Sequence, residues 1–396
     1  NNTAILSVWR YNFTGVSKIN AIIYQVEQSS LTDQEKKVVE AELRGLRAYS
    51  YYNLLDNFGN VPISTSFTEK ELPKNASKEQ VFDFIEKEIK DILPLLPSGV
   101  QYGRFTQNVA YTLLARLYLN AESLIGTAHW QDCLDACDKI SGYRLTADYK
   151  ESFKIKNETS PEIIFAIPYD HKQGTSGNYL ASMSYHYNQK YVFSPEGSWQ
   201  WSGNGICAQP GLYSSFEEKD VRRASLLIGQ QYSAKDGSEV LMDNGEPLNY
   251  TEEIKKYTDA LQNEGARLNK YEWSPTDMWE RDNDWVLMRY AEVLMMQSEA
   301  SFRLGYTQTA LDYINQVRKR AALEPLTTLS LEALDNEWKH EFVFEGLRRT
   351  TNIRFGTFFK AWWNKEADPA DMHTRFFPIP KEELDKNPNL VQNTGY

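Results

Sequence analysis

Apolar positions recur at three- and four-residue steps in two long stretches of this chain, and that spacing predicts helices with one buried face. The clearest case is residues 284–323, DWVLMRYAEVLMMQSEASFRLGYTQTALDYINQVRKRAAL. Leu287, Tyr290, Ala291, Leu294, Met295 and Phe302 form one stripe; Ala310, Leu311, Ile314, Val317 and Ala321 form a second. Gly305 lies between them, where a helix end needs a residue that tolerates positive φ. Ala300 and Ala310 are small enough for two helices to approach closely. The pattern is that of a tetratricopeptide hairpin, opened by Tyr306 in its second helix. One such hairpin cannot bury its own apolar face, so further hairpins are expected.

They are found upstream. Residues 5–28, 33–58, 79–96, 104–121 and 129–140 each carry helical spacing. Thr32 or Asp33 is placed to cap the second of these, and Gly59 to stop it. Glu42 and Arg44 to Arg47 read as solvated ion pairs. From about residue 143 to 284 the helical rhythm fades. EIIFAIP, residues 162–168, reads as a strand, and Phe216 to Asp220, then Arg222 and Arg223, open a short charged helix. In the tail, residues 338–349 are read as helical, with Glu345 in an ion-pair ladder with Arg348 and Arg349. Trp362 and Trp363 are assigned to the core. The expected fold is therefore mainly α: helical repeats over 1–155, an irregular region over 156–283, and a hairpin and tail over 284–396, forming one integrated unit.

Composition narrows the function. The net charge of -11 argues against a nucleic-acid backbone as partner. No apolar run reaches the length needed to span a bilayer. Three cysteines, Cys133, Cys137 and Cys207, make no disulfide framework. His129, Cys133 and Cys137 form an i, i+4, i+8 row, but a structural zinc needs four ligands, so no metal is assigned. No cofactor motif is present, and no nucleophile elbow, P-loop or H-E-x-x-H, so no enzyme is expected.

Six stretches, in order, resemble the SusD/RagB family of Bacteroidetes outer-membrane nutrient-binding lipoproteins. They are AELRGLRAYSYYNLLDNFGNVP, GRFTQNVAYTLLARLYLNAE, LMRYAEVLMMQSEA, INQVRKRAAL, HEFVFEGLRRTTNIRFG and FPIPKEELDKNPNLVQN. The resemblance implies a stack of tetratricopeptide-like helix pairs supporting an irregular ligand-binding insertion. It also implies a surface protein that holds glycan, or in some members peptide, and hands it to a SusC-like TonB-dependent transporter. Family members carry an amino-terminal lipid anchor on a cysteine; the first cysteine here is Cys133.

The aromatic content, 10 Trp, 24 Tyr and 18 Phe, exceeds what a core needs and points to rings on the surface. A sugar offers a flat apolar face and a hydroxyl rim, so its binder combines rings with amides. Tyr185, Tyr187, Asn188, Tyr191, Trp199, Gln200, Trp201 and Asn204 supply both in the one long non-repeat segment. Trp273 and Trp279 are a second set. An oligosaccharide is thus the expected ligand, with a peptide-binding repeat adaptor and a glycoside hydrolase as the rivals.

Overall fold

The computed structural model describes residues 2–173, 177–180, 182–197, 202–273 and 281–396. Helices dominate both ends of the chain. α1 (Thr3–Glu27) and α2 (Asp33–Phe58) form the first hairpin, and α3 (Lys78–Ile92) packs on α2. α4 (Gln107–Leu119), the short α5 (Ala121–Ile125) and α6 (Trp130–Cys137) follow, with α4 against α6. The starts of α2 and α3 are chemically specified: Thr32 with Glu35, and Ser77 with Gln80, form capping boxes. Gly59, at φ 67°, ends α2 as expected. Cys133 and Cys137 are buried free thiols on α6, and His129 is hydrogen-bonded to Asp132 and stacked on Tyr118.

Between the helical ends the chain runs through β1 (Ile163–Ile167), α7 (Lys190–Phe193), β2 (Leu226–Leu227), β3 (Gly229–Gln230), β4 (Asn249–Tyr250), β5 (Arg267–Leu268) and β6 (Trp285–Arg289). These make three antiparallel strand pairs, β1–β6, β2–β5 and β3–β4. The helical rhythm resumes with α8 (Tyr290–Arg303) and α9 (Thr307–Arg320), which pair as a hairpin, then α10 (Leu331–Glu341), α11 (Arg348–Arg354) and α12 (Lys381–Lys386). Ala300 and Ala310 are fully buried at the α8–α9 crossing, where the Ser298 hydroxyl donates to the Ala310 carbonyl at 2.8 Å. α8 packs on α6, so the stack is continuous across the irregular region. One large core, from Trp9 through Leu113 and Met295 to Trp338, runs through it.

Several expectations need correction. Residues 285–289, read as the start of a helix, form β6; α8 begins at Tyr290, whose N–H donates to the Glu162 carbonyl at 2.8 Å. Val286 and Met288 are buried and Leu287 is not, the alternation of a strand. The expected short charged helix is a 3₁₀ helix at Val221–Ser225; it holds Arg222 and Arg223, while residues 216–220 are bends and turns. The tail helix stops at Glu341 and restarts at Arg348. Arg47 is buried rather than solvated and donates to Glu88 and Asn20. Glu345 pairs with Lys270 and Arg289, while Arg348 and Arg349 turn to Asp335 and Asp56. Trp362 is 37% exposed rather than part of the core.

The irregular region is fastened to the helices by a buried charge cluster. Arg222, Arg289, Arg318, Arg320 and Lys270 face Asp220, Glu162, Glu337, Glu341 and Glu345. Glu341 on α10 is its centre, accepting from Arg222 Nη1 at 3.0 Å, from Arg289 Nη1 at 2.6 Å and from Arg320. Buried charges are tolerated only when paired, and here each cation meets at least one carboxylate. Lys270 also lies over the Phe153 ring at 4.4 Å, and burial pushes its amine down to about 8.

Candidate functional site

The longest non-repeat segment places its rings on both sides of one short helical turn. Residues Tyr187–Gln189 form a 3₁₀ turn that runs directly into α7. His186 caps it, accepting the Asn188 N–H on Nδ1 at 3.0 Å. The ring must therefore carry its proton on Nε2, which lies 2.8 Å from the side-chain amide oxygen of Gln262. Burial lowers the His186 pKa, so the ring stays neutral in this role. Beneath the turn, Tyr250 donates to Gln189 at 2.8 Å, and Gln189 donates to Gln231 at 3.1 Å. A satisfied buried network of this kind fixes one geometry for the turn above it.

On the inner side, Tyr185 and Phe193 face the protein. Tyr185 is fully buried, edge-on to Phe193 and to Trp273, with its hydroxyl on Asn269 at 2.9 Å. Burial pushes that phenol up to about 12. Trp273 is stacked on Phe193 at 4.0 Å, and the Arg281 guanidinium lies 3.7 Å from its ring centre. Two planar groups so near cannot share one face, so both faces of Trp273 are covered. Tyr185 and Trp273, expected as platform rings, thus pin the segment to the scaffold instead.

On the outer side, Tyr187 and Tyr191 are 46% and 42% exposed. They are four residues apart on a continuous helical turn, which puts both on one face. Lys190 lies 5.1 Å over the Tyr191 ring. Gly197, at φ 58°, lies against the same ring: a Cβ there would fall 2.4 Å from it. Trp199, Gln200 and Trp201 come next in the chain and lie outside the described residues, as does Trp279.

The two amides serve the loops. Asn188 donates to the Leu241 carbonyl at 2.8 Å and to Asp243 at 3.3 Å. Asn204, at φ 45°, donates to the Gln262 carbonyl at 3.1 Å and accepts from Arg267 at 3.0 Å. Asn204 has therefore committed both its donor and its acceptor to neighbouring loops, and Asn188, next to Tyr187 in the chain, has committed its donor.

The sequence reading did not single out a second aromatic group. Tyr169 is raised in pKa by burial and then by the neighbouring Tyr11 and Tyr179. Tyr11 and Tyr179 are exposed. They come from α1 and from two loops, so no local pattern joins them. Close by, Asp170, His171 and Asp282 bring possible ligand atoms within 4.8 Å of one another, with His171 Nδ1 2.7 Å from Asp282. Among the described residues no helix is long and apolar enough to cross a membrane.

Comparison with known proteins agrees with this architecture. The chain is 26% identical to the starch-binding protein SusD of Bacteroides thetaiotaomicron over 98% of this chain and 78% of that protein. It is 25% identical to SusD-like protein P2 of Formosa agariphila, over 100% of this chain and 81% of that one. Among solved structures, a SusD superfamily protein from Parabacteroides distasonis superposes with a TM-score of 0.80 at 20% identity, covering 100% of this chain and 87% of the other. A laminarin-binding SusD-like protein superposes with a TM-score of 0.78 at 23% identity, covering 98% and 86%. The surface glycan-binding protein A of Bacteroides thetaiotaomicron, in complex with laminarihexaose, gives 0.76 at 21% identity, covering 98% and 85%. Residues 1–119 match a family model described as starch-binding associating with outer membrane. Residues 161–396 match the model of the SusD family, and on that match the chain belongs to the SusD family.

Proposed function

We propose that this protein is the surface glycan-binding component of a polysaccharide uptake system. It holds an oligosaccharide at the outer membrane, as a lipid-anchored protein, without cleaving it, and delivers it to a SusC-like TonB-dependent transporter. The observation that carries this reading is the exposed pair Tyr187 and Tyr191, presented on one face of a turn whose other face is pinned by Tyr185 and Trp273. Trp199 and Trp201 follow Gly197 in the sequence, and Asn188 follows Tyr187. The irregular region faces solute and the helical repeats face the transporter. The named activities of the relatives, starch binding and laminarin binding, support the glycan as the ligand class.

Each ring against a sugar face contributes about 1–1.5 kcal/mol, by analogy with other aromatic contacts. A sugar that engages three of these four rings at once gains roughly 3–4.5 kcal/mol, near the value for a millimolar dissociation constant. Weak binding suits a protein that must release its cargo. Titration calorimetry with starch and laminarin oligosaccharides tests this. Tyr187→Ala and Tyr191→Ala should each weaken binding about tenfold while the helical circular dichroism is unchanged. Unaltered affinity in both variants would place the site elsewhere, and a chain that takes up no glycan at all would refute the function itself.

A further inference from the structure

A cavity of about 740 Å³ opens between α10, α11 and residues 208–212. That volume is within the range of small-molecule sites. Its walls combine two chemistries. Trp338, Phe342, Phe344 and Trp362 supply rings. Lys339, Arg348, Arg349 and Lys360 supply four positive charges against one carboxylate, Asp335. In a chain of net charge -11 this is a local reversal of sign, and a concave cationic wall concentrates anions.

Ion pairing leaves part of that charge uncompensated. Arg348 is paired with Asp335, and Arg349 with Asp56. Lys339 donates to the Asn336 amide oxygen at 2.9 Å, feels Asp335 and Glu332 but forms no ion pair among the described residues, and Lys360 is exposed with no carboxylate partner among them. Burial, and then Arg348, lower the Lys339 pKa, a penalty that an incoming anion relieves. The Trp338 indole N–H is buried and donates to nothing among the described residues. Phe344 holds φ 65°, a conformation costly for a bulky residue, where the chain bends between α10 and α11. Strain of this kind concentrates at ligand clamps.

We propose that this cavity is a second binding site, separate from the tyrosine platform, for a small carboxylate with a ring-shaped body. The rings take the flat face, and the Lys339 and Lys360 amines take the carboxylate. An acidic sugar and a free aromatic carboxylate share this chemistry, and the experiment separates them.

The test is titration of the full chain with glucuronate, benzoate and glucose at low ionic strength. One or both carboxylates should bind, glucose should not displace them, and binding should weaken as salt is raised. Glucuronate alone identifies an acidic sugar; benzoate alone identifies an aromatic acid. The double variant Lys339→Gln, Lys360→Gln should lose at least tenfold in affinity, whereas Tyr187→Ala should not change it. The proposal is overturned if neither carboxylate binds up to about 10 mM, or if binding is indifferent to salt in the unsubstituted chain. It is also overturned if the double variant, folded by circular dichroism, binds as before, or if Tyr187→Ala abolishes binding.

Discussion

Glu341→Gln is the sharpest single test of how the irregular region is held. The substitution keeps the shape of the side chain and removes one negative charge from the buried cluster. Burial works against ionisation of Glu341, but Arg320, Arg289 and Arg222 outweigh it and hold the carboxyl well below the usual range. Its contribution is therefore complete above the ordinary glutamate value of 4.5 and is lost only as the pH falls far below it. Gln at this position leaves one negative charge fewer against Arg222, Arg289 and Arg320 and sets an amide N–H₂ among their guanidinium groups. Removing one partner of a buried ion pair costs roughly 3–5 kcal/mol. At about 2.1 cal/mol/K of unfolding entropy per residue, the 396-residue chain loses about 0.8 kcal/mol per degree, so the melting temperature should fall by about 4–6 °C. Differential scanning calorimetry at pH 7 reads this directly. The control is Glu383→Gln, which cuts an ion pair to Arg10 that is 42% exposed and should move the midpoint by less than about 1 °C. If Glu341→Gln behaves like the control, the cluster is not what fastens the region.

His340 should give the protein an acid limb of instability. Burial, and then Arg222, lower its ring to about 3, and it packs on Phe216 with Nε2 3.0 Å from the Ser215 hydroxyl. Between the ordinary 6.5 and that value the unfolded chain binds the extra proton, so stability falls as pH falls, by about 1–2 kcal/mol at pH 5. His340→Gln should lose less melting temperature between pH 7 and 5 than the parent; equal losses would contradict this. Gly45→Ala reverses the usual helix preference, because its Cβ would sit 2.3 Å from the Phe105 ring. The clash should cost about 1–3 kcal/mol and lower the midpoint, so a rise would show that the ring yields. Purified protein incubated with starch or laminarin oligosaccharides should release no reducing ends, and steady release abolished by one carboxylate substitution would make it a hydrolase.

The helices were legible because their signals are local. Caps such as Thr32, a stop such as Gly59 and the stripe from Ala310 to Val317 lie within a few turns of one another. Residues 285–289 were misread for a physical reason: a short apolar run has no period of its own, and its partner Ile163–Ile167 is remote in sequence. Glu345 shows the same limit. At helical spacing it faces Arg348, yet its bonds go to Arg289 and Lys270, which the chain order cannot anticipate. The candidate site was legible in kind and not in orientation. Tyr185, Tyr187 and Tyr191 look alike as letters, and only the packing of Phe193 and Trp273 decides which ring turns inward.

The β1–β6 pair has a consequence for how this protein can change. Residue 167 lies opposite residue 285, so everything between them leaves and rejoins the helical stack at one point. Closing a longer excursion costs little more than closing a short one, because the entropy grows only with the logarithm of length. Loops anchored this way can be lengthened, trimmed or exchanged while the strands that bound them stay in register. A grafted excursion from another member, joined after Ile167 and before Trp285, would inherit a ready-made socket. New ligand preferences could thus arise by replacing the loops of one insert, provided that Asp220, Arg222 and Lys270, which the insert contributes to the buried charge cluster, are kept.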